Sequence, residues 1–310
     1  MSEDYPSIIQ TLVSERDALK GHCQRLQKLV DDAGYPPGHF YSPVVDVNDS
    51  YVIQAVRGRL AAQPPKDVSI DASRMKTLLE RLAIHHQSFP FSRHRDTSHR
   101  YYYDNPFFAC HDGGVLFSML LEFRPQRIIE IGCGFSSALM LDTNDRFFAG
   151  AMDLTLIDPQ MNTVSSMFEP QGGLNATLLP HRVQDVPIEL FDSLATNDIL
   201  FIDSSHVSKT GSDVNYYLFE ILPRLKPGVL IHIHDVLYPF EYLEEWTLSE
   251  KRSWNEAYVL RAFLQYNNSF EIVYWNNFVY HRLTDYLSKL MPLCMENEGG
   301  SLWLRRVRQT

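Results

Sequence analysis

Short runs of apolar, β-branched residues recur along the chain, and most of them end in a polar residue. This pattern is typical of strands that are buried on both faces of a parallel sheet. The first five runs lie near 127–131, 153–157, 177–183, 198–203 and 228–233. Two late runs, 270–275 and 301–306, are separated by a long insertion at 277–299 and fit a closing antiparallel pair. The pattern predicts a seven-stranded, mostly parallel α/β sheet with a final antiparallel strand at 301–306.

The first hundred residues follow a helical pattern instead. Apolar residues within 7–33 recur at spacings of three, four or seven, which predicts an amphipathic helix. They are Ile8, Leu12, Leu19, Cys23, Leu26 and Val30. This helix either forms a short coiled coil with a second copy of the chain or packs on the chain's own core. A second amphipathic helix is predicted at 66–88. We therefore expect a helical extension with a linker over 1–100 and a sheet domain over 101–310.

Charge and cysteine usage narrow the classes of partner. The chain has 310 residues and a formal net charge of −10, which disfavours nucleic acid because phosphate binding needs concentrated Lys and Arg. Uncharged apolar runs stay well below the length of a membrane span, and the acids Glu3 and Asp4 do not fit a secretion signal. The four cysteines are scattered, without metal or disulfide spacing. We expect a cytoplasmic protein with a small-molecule substrate and neither a nucleic-acid nor a membrane partner.

The first predicted strand leads into a glycine turn. Residues 127–137 read Arg-Ile-Ile-Glu-Ile-Gly-Cys-Gly-Phe-Ser-Ser, so Glu130 near the strand end precedes Gly132 and Gly134. Glycines let the chain turn tightly and let a ligand lie against the backbone. The helix that follows offers unpaired N–H groups to that ligand. A dinucleotide site would have a third glycine where Ser137 stands, so the turn favours another nucleoside-containing ligand.

Acidic residues close the next strands as well. Asp158 ends the second predicted strand, Asp203 the fourth, and His234 with Asp235 the fifth. The carboxyl ends of parallel strands face one crevice, where open α/β sheets bind ligands. An acid at the end of the second strand of a nucleoside-binding unit accepts hydrogen bonds from ribose hydroxyls. We therefore expect these side chains to surround one ligand.

This order of motifs resembles the class I S-adenosylmethionine (AdoMet) methyltransferases. More narrowly, it is similar to the bacterial branch that includes relatives of the macrocin O-methyltransferase and the cephalosporin hydroxylase, many of them enzymes of secondary metabolism. The resemblance covers residues 101–306 and implies a Rossmann-like fold that binds AdoMet. It adds nothing for the first hundred residues.

The resemblance also implies roles for particular residues in holding AdoMet. Its amino-acid end would lie on the glycine turn, its ribose on the second strand, its adenine after the third strand, and its carboxylate near the loop before the first strand. The implied contacts are Glu130, Gly132, Gly134 and Ser136 for the amino-acid end, Asp158 for the ribose, Asp185 for the adenine amine, and Tyr103 and Asn105 for the carboxylate. Glu130 would accept from the ammonium group directly or through water, or a turn carbonyl would do so in its place.

The chemistry is expected at the ends of the fourth and fifth strands. His206, just after Asp203, is the predicted general base because imidazole titrates near neutrality, with Lys209 as the second choice. Relatives in this branch bind a divalent ion with acids at matching positions, which here are Asp203, His234 and Asp235. One acid has become an imidazole, which disfavours magnesium and leaves open manganese, iron, zinc or a metal-free site.

The sequence therefore predicts an AdoMet-dependent methyltransferase that acts on a small-molecule metabolite, with oxygen as the methyl acceptor. Two alternatives use the same fold. One is a metal-dependent hydroxylase-like member of the family, and the other is a non-catalytic subunit that binds AdoMet. The N-terminal helix predicts a homodimer if it pairs with a second copy.

Overall fold

The computed structural model of the chain describes residues 5–161 and 174–308. Seven strands from these residues form one sheet in the order β3-β2-β1-β4-β5-β7-β6. The strands are β1 (Arg127–Ile131), β2 (Asp153–Ile157), β3 (Thr177–Leu179), β4 (Ile199–Ile202), β5 (Leu230–Ile233), β6 (Phe270–Trp275) and β7 (Leu302–Arg306). The predicted sheet is thus confirmed.

The strand directions also agree with the prediction. Strand β1 pairs in parallel with β2 and β4, and β4 pairs in parallel with β5. Strand β7 runs antiparallel between β5 and β6. Strand β3 is shorter than the predicted 177–183. Pro180 follows its last residue, and a proline offers no N–H to the strand ladder.

The helices fall into two compact units of the chain. The described helices are α1 (Tyr5–Asp32), α2 (Ser50–Arg57), α3 (Ala72–His86), α4 (Cys110–Phe123), α5 (Phe135–Phe147), α6 (Asp213–Tyr216), α7 (Glu256–Leu264), α8 (Asn276–Arg282) and α9 (Thr284–Leu290). One unit comprises the chain up to Arg57 together with Leu243–Ser253, and the other comprises Gly58–Tyr242 and the chain from Trp254 onwards.

The sheet unit begins earlier in the chain than residue 101. Helix α3 starts at Asp71, whose carboxylate accepts hydrogen bonds from the backbone N–H groups of Ser73 and Arg74. Its apolar face, including Met75 and Leu79, is fully buried in the core of this unit. The segment 58–100, which the sequence analysis assigned to the N-terminal extension, therefore belongs with the sheet.

The other unit contains the long helix α1. This helix spans 28 residues, and none of its side chains is buried. Leu12, Leu19 and Leu26 are 57%, 64% and 48% exposed. Packing on the chain's own core and pairing with a second copy therefore both stay predictions for this helix. Neither α1 nor another described helix is long and apolar enough to cross a membrane.

Candidate active site

The glycine turn after β1 brings three strand ends together. Gly132 has a φ of +80°, and a Cβ atom added there would lie 1.9 Å from the carbonyl oxygen of Asp203. Its N–H donates to the carbonyl of Ile157 at the end of β2 (2.9 Å). Only glycine fits this position. A Cβ atom added at Gly134, in contrast, would meet nothing within 4 Å, so the turn leaves open space for a ligand.

Glu130 lies below the turn rather than at its surface. Its buried carboxylate accepts a hydrogen bond from Ser136 Oγ (2.6 Å) and a very short one from Ser137 Oγ. Ser137 Oγ in turn accepts from the N–H of Gly134 (3.0 Å). Glu130 and Ser136 were expected to contact the ligand, but the structure assigns both to the support of the turn. Direct contact with the ligand stays a prediction for both residues.

Glu130 should make the stability of the protein depend on pH. Burial raises the pKa of Glu130 to about 8 from an ordinary value of 4.5, although Ser136 and Ser137 counter this with hydrogen bonds. The folded state thus holds a proton that the unfolded state releases. This contribution to stability is complete below pH 4.5 and is lost as the pH rises through about 8. The loss amounts to about 1.4 kcal/mol per pH unit within that window.

We therefore expect Glu130→Gln to flatten the pH dependence of the free energy of unfolding across that window. Urea unfolding at a series of pH values measures this dependence for the wild type and the variant. Glu189→Gln, at an exposed acid, is the control and should keep the wild-type slope. Equal slopes for the wild type and Glu130→Gln would contradict the prediction.

A cleft of about 610 Å³ opens beside the glycine turn. Its walls come from the ends of β1, β2 and β4 and from the loops that follow β3 and β4. The lining residues are Ile131–Cys133, Ile157–Gln160, Arg182–Gln184, Asp203–Ser205, Lys209 and Gly211–Asp213. Asp158 is the acid of the β2 wall, and its carboxylate accepts from the N–H groups of Cys133 (3.0 Å) and Gln160 (2.6 Å). These bonds hold a carboxylate at the edge of the cleft, as a ribose site requires.

Three predicted ligand contacts lie elsewhere. Asp185 is exposed and outside the lining of the cleft, where Arg182–Gln184 form the wall instead. Asn105 is buried, and its side chain bonds the backbone of Tyr102, Phe107 and Phe108.

Tyr103 is the third of them. It packs against the segment 89–93, where the Arg93 guanidinium lies 5.4 Å from its ring centroid. Contact of Asp185, Asn105 and Tyr103 with AdoMet therefore stays a prediction. Asn105 stabilises its own loop, and neither Asp185 nor Tyr103 is part of the cleft lining.

A group of charged side chains gathers where β4 and β5 end. His206 Nε2 lies 3.4 Å from Asp203 Oδ1 and 3.7 Å from Asp235 Oδ2, and His234 Nε2 lies 3.5 Å from Asp235 Oδ1. His206 and Asp235 both have left-handed backbone, with φ of +60° and +56°. Such conformations are strained for residues other than glycine and concentrate at functional sites. Asp203 is also part of the cleft wall, so this group borders the cleft.

The surroundings of His206 do not suit the predicted base. Burial alone would lower the pKa of His206, but Asp203 and Glu256 outweigh it and raise that pKa well above its ordinary value. The imidazole is therefore held as a cation and has no free lone pair to accept a proton. Burial raises the pKa of Asp203, but the charges of His234 and His206 bring it below its usual value. The arrangement makes His206 the charge partner of the carboxylates.

A resident metal ion does not fit this group. Within 5–161 and 174–308, no three His, Cys, Asp or Glu side chains are placed to share an ion. The Nε2 atom of His206 faces the space between Asp203 and Asp235 that an ion would need. The predicted ligand set of Asp203, His234 and Asp235 is thus brought together around an imidazolium instead.

Sequence reasoning missed Glu256, which completes the group. Its buried carboxylate accepts from His206 Nδ1 (2.8 Å), Ser204 Oγ (2.6 Å) and the hydroxyl of Tyr217 (2.7 Å). Asn255 and Glu256 before an apolar run indicate a helix start, so α7 was within reach of the sequence pattern. Its contact with a residue 50 positions earlier had no signal in the sequence.

Aromatic rings flank the charged group on two sides. The Trp254 ring lies 4.2 Å from the His206 ring, and Tyr102 packs edge-on against Phe135 at 5.3 Å. Phe107 is 75% exposed, and its carbonyl oxygen lies 3.3 Å from His234 Nε2. Tyr102, rather than the predicted Tyr103, therefore borders the glycine turn, and an apolar surface adjoins the carboxylates.

Comparison with known proteins defines the class. A family model described as a methyltransferase domain matches residues 129–236, which include the glycine turn and the ends of β2, β4 and β5. An uncharacterized protein of Archaeoglobus fulgidus is 30% identical over 187 residues, which are 57% of this chain and 82% of that protein. The chain belongs to the class I AdoMet-dependent methyltransferases, and it is an AdoMet-dependent methyltransferase.

Two solved structures are loosely similar in fold. The apo structure of CmcI-N160 is 18% identical to this chain, with a TM-score of 0.40. The matched region covers 65% of this chain and 72% of the CmcI-N160 chain. A second CmcI-N160 structure, with SAH, is 21% identical and covers 62% of this chain and 74% of its own, with a TM-score of 0.35.

Membership of the AdoMet-dependent methyltransferases predicts that Asp158 contributes to cofactor binding. We expect Asp158→Ala to weaken AdoMet binding by roughly 1–3 kcal/mol, because charge-assisted hydrogen bonds to the ribose would be lost. Isothermal calorimetry measures this. Asp158→Asn should fall between the wild type and the alanine variant, since it keeps one acceptor oxygen. Wild-type affinity in Asp158→Ala would remove this residue from the cofactor site.

Proposed function

We propose that this methyltransferase transfers the methyl group to a hydroxyl oxygen of a small molecule. One observation carries the proposal. Asp203 belongs to the wall of the 610 Å³ cleft and also to the ion-paired group with His206 and Asp235. A carboxylate so placed faces the bound cofactor from one side and an incoming acceptor from the other.

Different residues of the chain bind the cofactor and accept the proton in this proposal. When bound, AdoMet supplies an electrophilic methyl group on a positively charged sulfur. The glycine turn and Asp158 hold the cofactor, and positioning is the larger part of catalysis for such an activated donor. Asp203 accepts a hydrogen bond from the acceptor hydroxyl and takes its proton as the O–C bond forms and the bond between the methyl carbon and sulfur breaks, so that the sulfur leaves as a neutral thioether. The hydroxyl becomes strongly acidic at that stage, so even a carboxylate whose pKa is held low can accept the proton.

His206 and Lys209 take supporting roles in this proposal. His206 keeps Asp203 ionised and orients both Asp203 and Asp235 from its Nε2 side, although burial raises the pKa of Asp235 above its ordinary value. The exposed Lys209 lines the cleft, where its charge lies near the ligand rather than in the ion-paired group. It stays the second candidate for proton transfer that the sequence suggested. If Lys209 takes part in proton transfer, Lys209→Met should reduce the rate of methyl transfer. If Lys209 only contributes charge to the cleft, the same variant should weaken AdoMet binding instead.

The acceptor is found by incubating the protein with AdoMet that carries an isotope-labelled methyl group and a fractionated cell extract. Nuclear magnetic resonance of the product separates O-methyl from N-methyl and C-methyl carbon. We expect label in an O-methyl group of the small-molecule fraction, and Asp203→Asn should remove it. Label only in the nucleic-acid or protein fraction, or only on nitrogen or carbon, would refute the proposal.

We further propose that the protein acts in the reducing cytoplasm as a dimer that forms through α1. Free thiols such as the four cysteines persist in a reducing compartment. Leu12, Leu19 and Leu26 are seven residues apart and exposed, which suits a helix-to-helix seam between two copies.

This proposal predicts that Leu19→Glu converts the dimer to a monomer, because it places a charge in the seam. Sedimentation velocity over a range of protein concentrations measures the change. Lys20→Glu alters a charge on the same helix outside the seam and should leave the dimer intact. A monomeric wild type would exclude the proposed dimer.

A further inference from the structure

Glu256 contacts His206 through both its backbone and its side chain. Its backbone N–H and that of Asn255 donate to the carbonyl oxygen of His206 (3.2 and 3.1 Å), so this carbonyl caps the N-terminus of α7. Its carboxylate accepts from the His206 ring at Nδ1 (2.8 Å). The backbone and the ring of His206 are thus both held by the same residue.

Neighbouring contacts fasten the same two segments. Ser204 Oγ donates to Glu256 and accepts from the N–H of His206 (3.1 Å). Asn255 Oδ1 accepts from the N–H of Ser208 (2.6 Å), and Asn255 Nδ2 donates to the carbonyl of Ser208 (3.2 Å). Ser204, His206 and Ser208 are therefore each attached to the start of α7.

The orientation of the His206 ring follows from these contacts. A histidine ring can rotate about its side-chain bonds, and its two nitrogens can exchange roles. Glu256 binds Nδ1, and this leaves Nε2 facing Asp203 and Asp235 at 3.4 and 3.7 Å. The left-handed backbone of His206, with a φ of +60°, is strained and needs such support to persist.

We infer that Glu256 is a positioning residue for methyl transfer. It fixes the His206 ring by a charged hydrogen bond at Nδ1, so that Nε2 holds the Asp203 carboxylate in the direction from which the acceptor hydroxyl arrives. This inference rests on the proposed function of Asp203 and deepens it. Glu256 is not part of the cleft lining, and its carboxylate reaches the cleft wall through His206 and the hydroxyl of Ser204.

Glu256→Gln tests the inference because it keeps the shape of the side chain and removes its charge. We expect the rate of methyl transfer to fall by roughly 10²-fold, the cost of a small misplacement of reacting groups. AdoMet affinity should stay at its wild-type value, since its contacts lie on the glycine turn and Asp158. Glu256→Asp keeps the charge and should recover part of the rate.

The matched control is Tyr217→Phe. It removes the hydrogen bond of the Tyr217 hydroxyl to the same carboxylate (2.7 Å) but leaves the contact with His206. We expect this variant to keep most of the wild-type rate. If it loses as much rate as Glu256→Gln, the carboxylate has only a structural role and the inference is overturned.

The His206 ring itself is observed by nuclear magnetic resonance on protein with isotope-labelled imidazole nitrogens. In the free wild type we expect a slowly exchanging proton on Nδ1, which Glu256→Gln should shift and Tyr217→Phe should preserve. Unchanged ring signals, or a wild-type transfer rate, in Glu256→Gln would overturn the inference. The ring signals need no acceptor, so a failure of the proposed O-methylation is distinguishable from a failure of this inference.

Discussion

Replacing Asp203 by asparagine should lower the rate of methyl transfer by about 10²–10⁴-fold, the usual contribution of a group that takes a proton. Asparagine fills the same volume in the cleft wall and still accepts a hydrogen bond, but it cannot take the proton of the hydroxyl. AdoMet affinity should change little, because the Asp158 carboxylate and the glycine turn are untouched. Rate and affinity are measured on the same preparation with the acceptor that the extract experiment provides.

The control for Asp203 is Asp185→Asn. Asp185 is an exposed carboxylate that lies outside the lining of the cleft. Its replacement should leave the rate of methyl transfer at saturating AdoMet at its wild-type value. Full activity in Asp203→Asn would remove this residue from proton transfer and make Lys209 the better candidate.

Replacing His206 by alanine should cost roughly 3–5 kcal/mol of the free energy of unfolding, as expected when one partner of a buried ion pair is removed. The carboxylates of Asp203, Asp235 and Glu256 would then lose the cation that contacts all three, while His234, beside Asp235, would remain near them. Their mutual repulsion is strong because Glu256 is fully buried and the other two are at least half-buried. Urea unfolding at neutral pH measures the loss.

A double variant and a control variant test whether the loss of stability in His206→Ala comes from unbalanced carboxylates. The double variant His206→Ala/Glu256→Gln should be more stable than His206→Ala, because one of the three opposing charges is gone. His94→Ala is the control, since its exposed ion pair with Asp104 contributes little. A His206→Ala protein as stable as the wild type would show that the ring is not the cation that balances these carboxylates.

The sheet could be predicted because its strands are local features of the sequence. Each apolar run needs only its own residues to indicate a strand, and parallel pairing places the ends of β1, β2 and β4 at one edge. The prediction that Asp158 and Asp203 lie at one crevice follows from this, and both line the cleft. The length of β3 was wrong by four residues because Pro180 ends the ladder before the apolar pattern ends.

Side-chain directions in irregular backbone could not be predicted in the same way. After β3 the chain enters a short 3₁₀ turn at Val183–Asp185, which buries Val183, places Gln184 at the cleft and turns Asp185 to solvent. Before α4, Tyr102 rather than Tyr103 faces the glycine turn. In both places the structure brings the neighbour of the predicted residue to the cleft or the turn, because loops lack the fixed periodicity that decides which side a residue faces.

The surroundings of His206 were beyond the sequence for a different reason. Its charge state depends on Glu256, which is brought to it by the docking of α7 on residues 204–208. A histidine three positions after an aspartate indicates a general base when only its neighbours in sequence are considered. Asp203 and the third carboxylate, 50 residues later, together raise the pKa of this ring well above its ordinary value.

The contact of Phe107 with His234 has a consequence for engineering the enzyme toward other acceptors. His234 binds the backbone carbonyl of Phe107, while the ring of Phe107 projects into solvent beside the charged group. The side chain can therefore be exchanged without breaking that bond or altering the cleft. A library confined to position 107 would vary the exposed apolar surface beside the charged group while the bond to His234 and the cleft wall stay as they are.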